Sequence, residues 1–236
     1  MKLLKTLLLV FSAILLLQGC AMFGKAKSPL LEKPGQAPGA YHIVQKKESL
    51  WKICKAYGAN LQEVAELNNI KDTSQIKTGD KIFIPGATKP LTLSATQDAA
   101  DKTPPEKIIS KPGLFIWPVR GKVIEEYGMY GGQKHDGINI KAPGGTPVKA
   151  AKEGMVAFTG VLEGYGNTII IEHKDKYATV YANNQTNLVK QGQTVTKGQK
   201  IAEVGGTSDS KPRTYLHFQI RCDNKPRNPR FYLPRA

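Results

Sequence analysis

The chain has 236 residues, enough for one large domain or two small ones. Lysine and arginine number 34 against 19 acidic residues, a net charge of +15 at pH 7. A surplus of that size often marks a nucleic-acid binder, a class that the first twenty residues exclude.

Lys2 and Lys5 form a positive n-region, and residues 7–17 are apolar except for Ser12. This run is shorter than the ~20 apolar residues a spanning helix needs, so it reads as the core of a secretory signal, residues 1–19. It ends in Leu17-Gln18-Gly19-Cys20, which resembles a bacterial lipobox with Cys20 as the acylated residue. Ala21 follows, a position where the absence of Asp points to the periplasmic face of the outer membrane. Several acyl chains at ~0.8 kcal/mol per methylene make a durable anchor. An exported, lipid-anchored protein meets no nucleic acid. The anions open to it are peptidoglycan carboxylates, lipid head groups or an acidic protein. Cys54 and Cys222 fall in different candidate domains and are expected to stay thiols.

Residues 20–40 are rich in Lys, Ser, Gly, Ala and Pro and read as a linker, as do residues 87–112 with Thr103-Pro104-Pro105 and Lys111-Pro112. Such tethers reach ~3 Å per residue when extended. Between them, residues 41–86 read as a βααβ unit. Tyr41 to Val44 is a strand, and Ser49 caps a helix that carries Leu50, Ile53, Cys54 and Tyr57 on one face until Gly58 ends it. A second helix from about Asn60 turns Leu61, Val64, Ala65 and Leu67 inward, and Lys81 to Pro85 is the closing strand. The unit resembles a LysM domain in Tyr41 to Ile53, in Leu61 with Asn68, and in Ile76 to Pro85. It departs from the usual pattern at Lys47-Glu48, where Gly-Asp is commoner. The resemblance implies a shallow groove for N-acetylglucosamine-containing glycan lined by Ser49, Leu50, Asn68, Asn69 and Ile70. Leu50 is equally readable as core, and Trp51 as a sugar platform or a core cover.

Residues 113–236 read as all-β, with short alternating strands at Met155–Phe158, 168–172, 178–182 and 200–204 separated by glycine turns. Three segments carry the chemistry: His135-Asp136-Gly137-Ile138-Asn139, Tyr181-Ala182-Asn183-Asn184 and Tyr215-Leu216-His217. They resemble the site motifs of LytM/lysostaphin-type zinc endopeptidases, which run His-x-Gly-x-Asp, Tyr-Ala-His-Leu and His-x-His. The resemblance implies a lipoyl-like, barrel-sandwich hybrid fold. It places relic metal-ligand positions at His135, Asn139 and His217, and the water-activating positions at Asn183 and Tyr215.

Strand alternation supports that alignment independently. Leu216, Phe218 and Ile220 are apolar and face a core, so Tyr215, His217 and Gln219 share the other face. Ile138 and Ile140 likewise leave Asn139 facing the site. The chemistry differs from the family's. Zinc hydrolases use three protein ligands and a water, whereas here a neutral amide stands for the carboxylate ligand. Asn183 cannot act as a base, and Tyr215 is a poor replacement for histidine. Asp136 points away along its strand, His173 sits at a hairpin end, and His42 lies in the other domain. The expectation is a fold without metal, cofactor or hydrolysis.

Signal, lipobox, LysM unit, linker and altered LytM-type domain together resemble the NlpD-like murein hydrolase activators. That resemblance implies a peptidoglycan-binding lipoprotein whose groove of His135, Asn139, Asn183, Tyr215 and His217 docks a periplasmic N-acetylmuramoyl-L-alanine amidase and switches it on. A wall-binding tether without an effector, and a zinc endopeptidase with an unrecognised site, are the alternatives.

Overall fold

A computed structural model describes residues 38–92, 107–205 and 214–235. The signal segment, Cys20 and most of both linkers lie outside the described residues.

In the N-terminal unit, β1 (Gly39–Ile43) pairs antiparallel with β2 (Lys81–Pro85), with Tyr41 opposite Phe83. Between them lie α1 (Leu50–Tyr57) and α2 (Leu61–Leu67). The Ser49 hydroxyl accepts from the Lys52 amide and the Asn60 side chain from the Glu63 amide, each satisfying an orphan N–H of a first turn. Gly58 takes the left-handed conformation that ends α1 at φ 62°. Val44, Leu50, Ile53, Cys54, Leu61, Val64, Ala65, Ile82 and Ile84 form the core. The expected βααβ order is observed, with the strand that starts it beginning two residues earlier than expected.

The C-terminal unit is a largely antiparallel sheet assembly. Its strands are β3 (Lys122–Glu125), β4 (Gly128–Tyr130), β5 (Gln133–His135), β6 (Ile138–Lys141), β7 (Pro147–Lys149), β8 (Gly154–Leu162) and β9 (Gly166–Glu172). They continue as β10 (Tyr177–Asn187), β11 (Thr194–Val195), β12 (Lys200–Val204), β13 (Tyr215–Cys222) and β14 (Lys225–Arg227). The main path runs β11-β8-β9-β10-β13-β6-β3, with β12 bridging β10 to β7, β14 beside β13, and β4-β5 as a separate hairpin. Ile138, Ile140, Leu216, Phe218 and Ile220 are fully buried on the inner face, as the alternation requires. Phe115, Tyr181, Phe231 and Tyr232 complete this core.

The two units are not independent beads on a tether. Residues 107–112, read from sequence as the end of a linker, pack between them: Ile109 exchanges both backbone groups with the Gln62 side chain, and Lys111 N–H donates to Phe231. Leu67, expected in the LysM core, packs instead with the core of the C-terminal unit, as does Phe83. Glu66 of α2 is buried under that unit. Its carboxylate accepts from Arg227 Nε (3.0 Å) and Nη2 (2.8 Å) and from the Asn228 amide (3.0 Å), and its carbonyl accepts from Asn228 Nδ2 (2.9 Å). A buried carboxylate is tolerated when its lone pairs are filled in this way.

Candidate functional site

Strand pairing assembles the site. β13 lies between β6 and β10, so His217 stands opposite Asn139 on one side and Ala182 on the other. The β5-to-β6 corner brings His135 alongside, its ring centroid 5.3 Å from that of His217. Gly137 is required at this corner, because a Cβ there would collide with the Phe218 carbonyl and crowd the His217 ring. Asn183 follows with φ 61°, a left-handed conformation that asparagine tolerates well, and its amide donates to the Tyr215 carbonyl at 2.7 Å. His135, Asn139 and His217 are thus brought together, with Asn183 joined to the Tyr215 backbone beside them.

A hydrogen-bond chain runs through His217 and Asn139. Arg221 can only donate, and its Nη1 lies 2.9 Å from Gln219 Oε1. That contact turns the Gln219 amide nitrogen toward His217 Nε2, 2.9 Å away. His217 Nε2 must then be the accepting nitrogen and Nδ1 the protonated one. Nδ1–H donates to Asn139 Oδ1 at 2.7 Å, and Asn139 Nδ2 donates in turn to Glu125 Oε2. Burial, aided by neighbouring His135, pushes the His217 imidazole down to about 3, so the ring is neutral. On the other flank, His135 Nδ1 donates to the Glu126 carbonyl at 2.7 Å and leaves Nε2 facing Glu125 at 3.8 Å.

Zinc does not fit this donor set. The His217 nitrogen that faces Asn139 carries a proton, and the Asn139 oxygen already accepts it, so two of the three positions that the motif resemblance gives to ligands are spent on each other. Among the described residues no group of three or more His, Cys, Asp or Glu side chains is placed to hold a metal. Asp136 pairs with Lys134 at 3.2 Å. His173 is tied to the Glu153 carbonyl and the Thr179 hydroxyl. His42 pairs with Glu48 at 2.8 Å.

Sequence reasoning missed Glu125. It reaches Asn139 because the β3–β6 pairing shifts register between Val123 and Glu125, and no pattern in the sequence marks that irregularity.

The glycan-site expectations divide. Ser49 is the α1 cap. Leu50 has no exposure and belongs to the core, a correction that follows from its place on the buried stripe of α1. Asn68 is likewise structural: its amide accepts from the Phe83 N–H and donates to the Phe83 and Val64 carbonyls. Asn69 is exposed with φ 55°, and Ile70 is half-buried against the LysM core. Of the five, Leu50 alone is buried; Ser49, Asn68 and Ile70 are half-buried and Asn69 is exposed.

The model of peptidase family M23 matches residues 133–229, and the LysM domain model matches residues 42–85. The chain is 38% identical to the Escherichia coli lipoprotein YgeR, over 97% of this chain and 92% of that one. It is 30% identical to the NlpD/LppB lipoprotein homolog of Pseudomonas aeruginosa, over 93% and 89% of the two chains. Its similarity to the murein hydrolase activator NlpD of E. coli is 48% identity over 50% of this chain, spanning 31% of that relative's length.

Proposed function

Since the chain belongs to the family of NlpD/LppB-type lipoproteins that join a LysM domain to a peptidase-M23 domain, we propose that it is a non-catalytic, wall-binding activator of a periplasmic N-acetylmuramoyl-L-alanine amidase. The observation that supports this reading is the hydrogen-bond chain Gln219–His217–Asn139–Glu125, which commits two of the positions that the resemblance gives to metal ligands, His217 and Asn139, to each other. In the motif resemblance Asn183 and Tyr215 take the positions of the water-activating histidines, and neither replaces them as a base. What is left is a half-buried polar cluster on a sheet, suited to binding.

Such amidases are zinc enzymes held shut by a segment of their own. An activator lowers the population of the shut state only if it binds the open one more tightly. Docking in the groove of His135, Asn139, Asn183, Tyr215 and His217 supplies that difference. The LysM unit holds the chain on N-acetylglucosamine-containing glycan, and acylated Cys20 holds it at the periplasmic face of the outer membrane.

The reading is tested by measuring the affinity of the non-acylated chain for the amidase of its own organism, intact and with the blocking segment deleted. Binding to the deleted form should be at least about tenfold tighter, a difference of ~1.4 kcal/mol. Equal affinity for both would remove the basis for activation.

A further inference from the structure

The seam between the two units carries charge that neither the groove nor the LysM fold uses. Lys71 directly follows Asn69 and Ile70 in the loop after α2, and its Nζ lies 5.9 Å over the Phe231 ring of the other unit. The Arg230 guanidinium lies 5.3 Å over the Trp117 indole, and Trp117 is held in place by its Nε1–H, which donates to the Pro234 carbonyl at 3.2 Å. Arg235 follows at the end of the described chain. Among the described residues, Glu126 is the carboxylate set against Lys71 and Arg230, bonding Arg230 at 2.6 and 3.0 Å.

Burial and then the repulsion of Arg230 and Arg235 lower the pKa of Lys71, with Glu126 opposing. Like charges gathered around one counter-ion are a standing cost that a further anion relieves. The array exists only because the units are docked: Lys71 comes from one and both arginines from the other, and the buried Glu66–Arg227 pair holds the seam closed.

The position of the array selects the ligand. Of the residues expected to meet glycan, Asn69 and Ile70 lie in the loop after α2, and Lys71 is next to them. A peptidoglycan strand carries, beside each glycan contact, a peptide stem with free carboxylates. We propose that the seam of Lys71, Arg230 and Arg235 binds a carboxylate of the peptide stem whose glycan rests on the Asn69–Ile70 loop. This deepens the wall-binding reading and rests on it. Glu126 connects the seam to the groove as well, since its carbonyl accepts from His135 Nδ1. A stem held at the seam is thus presented beside the surface where the amidase would dock.

The test is co-sedimentation of the full mature, non-acylated chain with intact sacculi, and its binding to glycan strands freed of their peptide stems. The variant is Lys71→Glu/Arg235→Glu, which spares the Arg230–Glu126 pair. Lys190→Glu/Lys197→Glu, on the turns flanking β11, is the control with the same net charge. Two exposed charge contacts account for roughly a tenfold preference for stem-bearing over stripped glycan. The seam variant should lose that preference and keep its binding to stripped glycan, while the control keeps both. Equal binding of the unmodified chain to the two glycans, or an unchanged preference in the seam variant, would overturn the seam and leave wall binding standing. Binding to neither glycan would overturn the wall-binding reading itself. Loss of binding to phosphatidylglycerol vesicles in the seam variant, with sacculus binding intact, would assign the array to a membrane and overturn the proposal.

Discussion

His217 Nδ1 stands 2.7 Å from Asn139 Oδ1 and donates its proton there, leaving that nitrogen no lone pair to offer a metal. The tautomer is set from behind, by Arg221 through Gln219. Restoring the family's donor residues therefore leaves the histidine protonated on the wrong nitrogen. Asn139→Asp with Asn183→His and Tyr215→His should bind zinc weakly. Adding Gln219→Glu, whose carboxylate accepts from His217 Nε2–H, should tighten it by about 10–100-fold, the usual effect of an outer-shell partner. Zinc titration with a competing chelator checks this, and equal affinity in the two variants would show that Gln219 does not govern the tautomer.

The neutral state of His217 gives a pH dependence with a definite sign. Its folded pKa, about 3, lies below the reference value of 6.5. Between those values the unfolded chain binds the extra proton, so stability falls as the solution is acidified through that window and is unaffected above it. The ceiling is ~1.4 kcal/mol per pH unit, and the partial exposure of the ring keeps the observed slope below it. His173, also lowered by burial, acts in the same direction. Proton NMR of the His217 ring should show no titration between about pH 7.5 and 4.5, where an unperturbed imidazole would complete most of its transition. A midpoint near 6 would contradict the closed chain of hydrogen bonds.

Glu66 couples the domains. Its side chain is 2% exposed, and Glu66→Ala leaves the Arg227 guanidinium, itself 22% exposed, without its partner. Breaking a buried pair from one side costs about 3–5 kcal/mol, and the partial exposure of Arg227 favours the lower end. Calorimetry should show a lowered transition that separates into two, one for each unit. A single transition at the original temperature would mean that the seam contributes little.

Much of this architecture was legible in the sequence because it rests on local rules. Ser49, Gly58 and Asn60 mark helix ends by side-chain capping or a left-handed turn, and the alternation of Leu216, Phe218 and Ile220 places His217 without any structure. What was not legible depends on contacts distant in sequence. Glu66 sits in Leu61–Leu67 as one more polar helix residue, and its partner is 161 positions away. Glu125 is aimed by a shifted strand register, and Leu67 reads as core correctly but belongs to the other core.

Asn183 offers the sharpest probe of the groove as a docking surface. Its φ of 61° suits asparagine or glycine, so Asn183→Gly keeps the backbone and removes the amide bond to Tyr215. Asn183→Glu adds charge and bulk at the same point, with a backbone penalty of roughly 1 kcal/mol for the left-handed conformation. The glutamate variant should remain folded by circular dichroism and lose amidase stimulation, while the glycine variant keeps most of it. Full stimulation by the glutamate variant and by similar changes across the cleft would place the docking surface elsewhere.

The most direct measurement is dye release from labelled peptidoglycan sacculi by the full mature, non-acylated chain, with and without the amidase of its own organism. Release should occur only when both are present, and the chain alone should release nothing whether or not a chelator is added. Release by the chain alone, abolished by the chelator, would make it an endopeptidase. No gain in release over the amidase alone would leave a wall-binding tether and contradict the activator account.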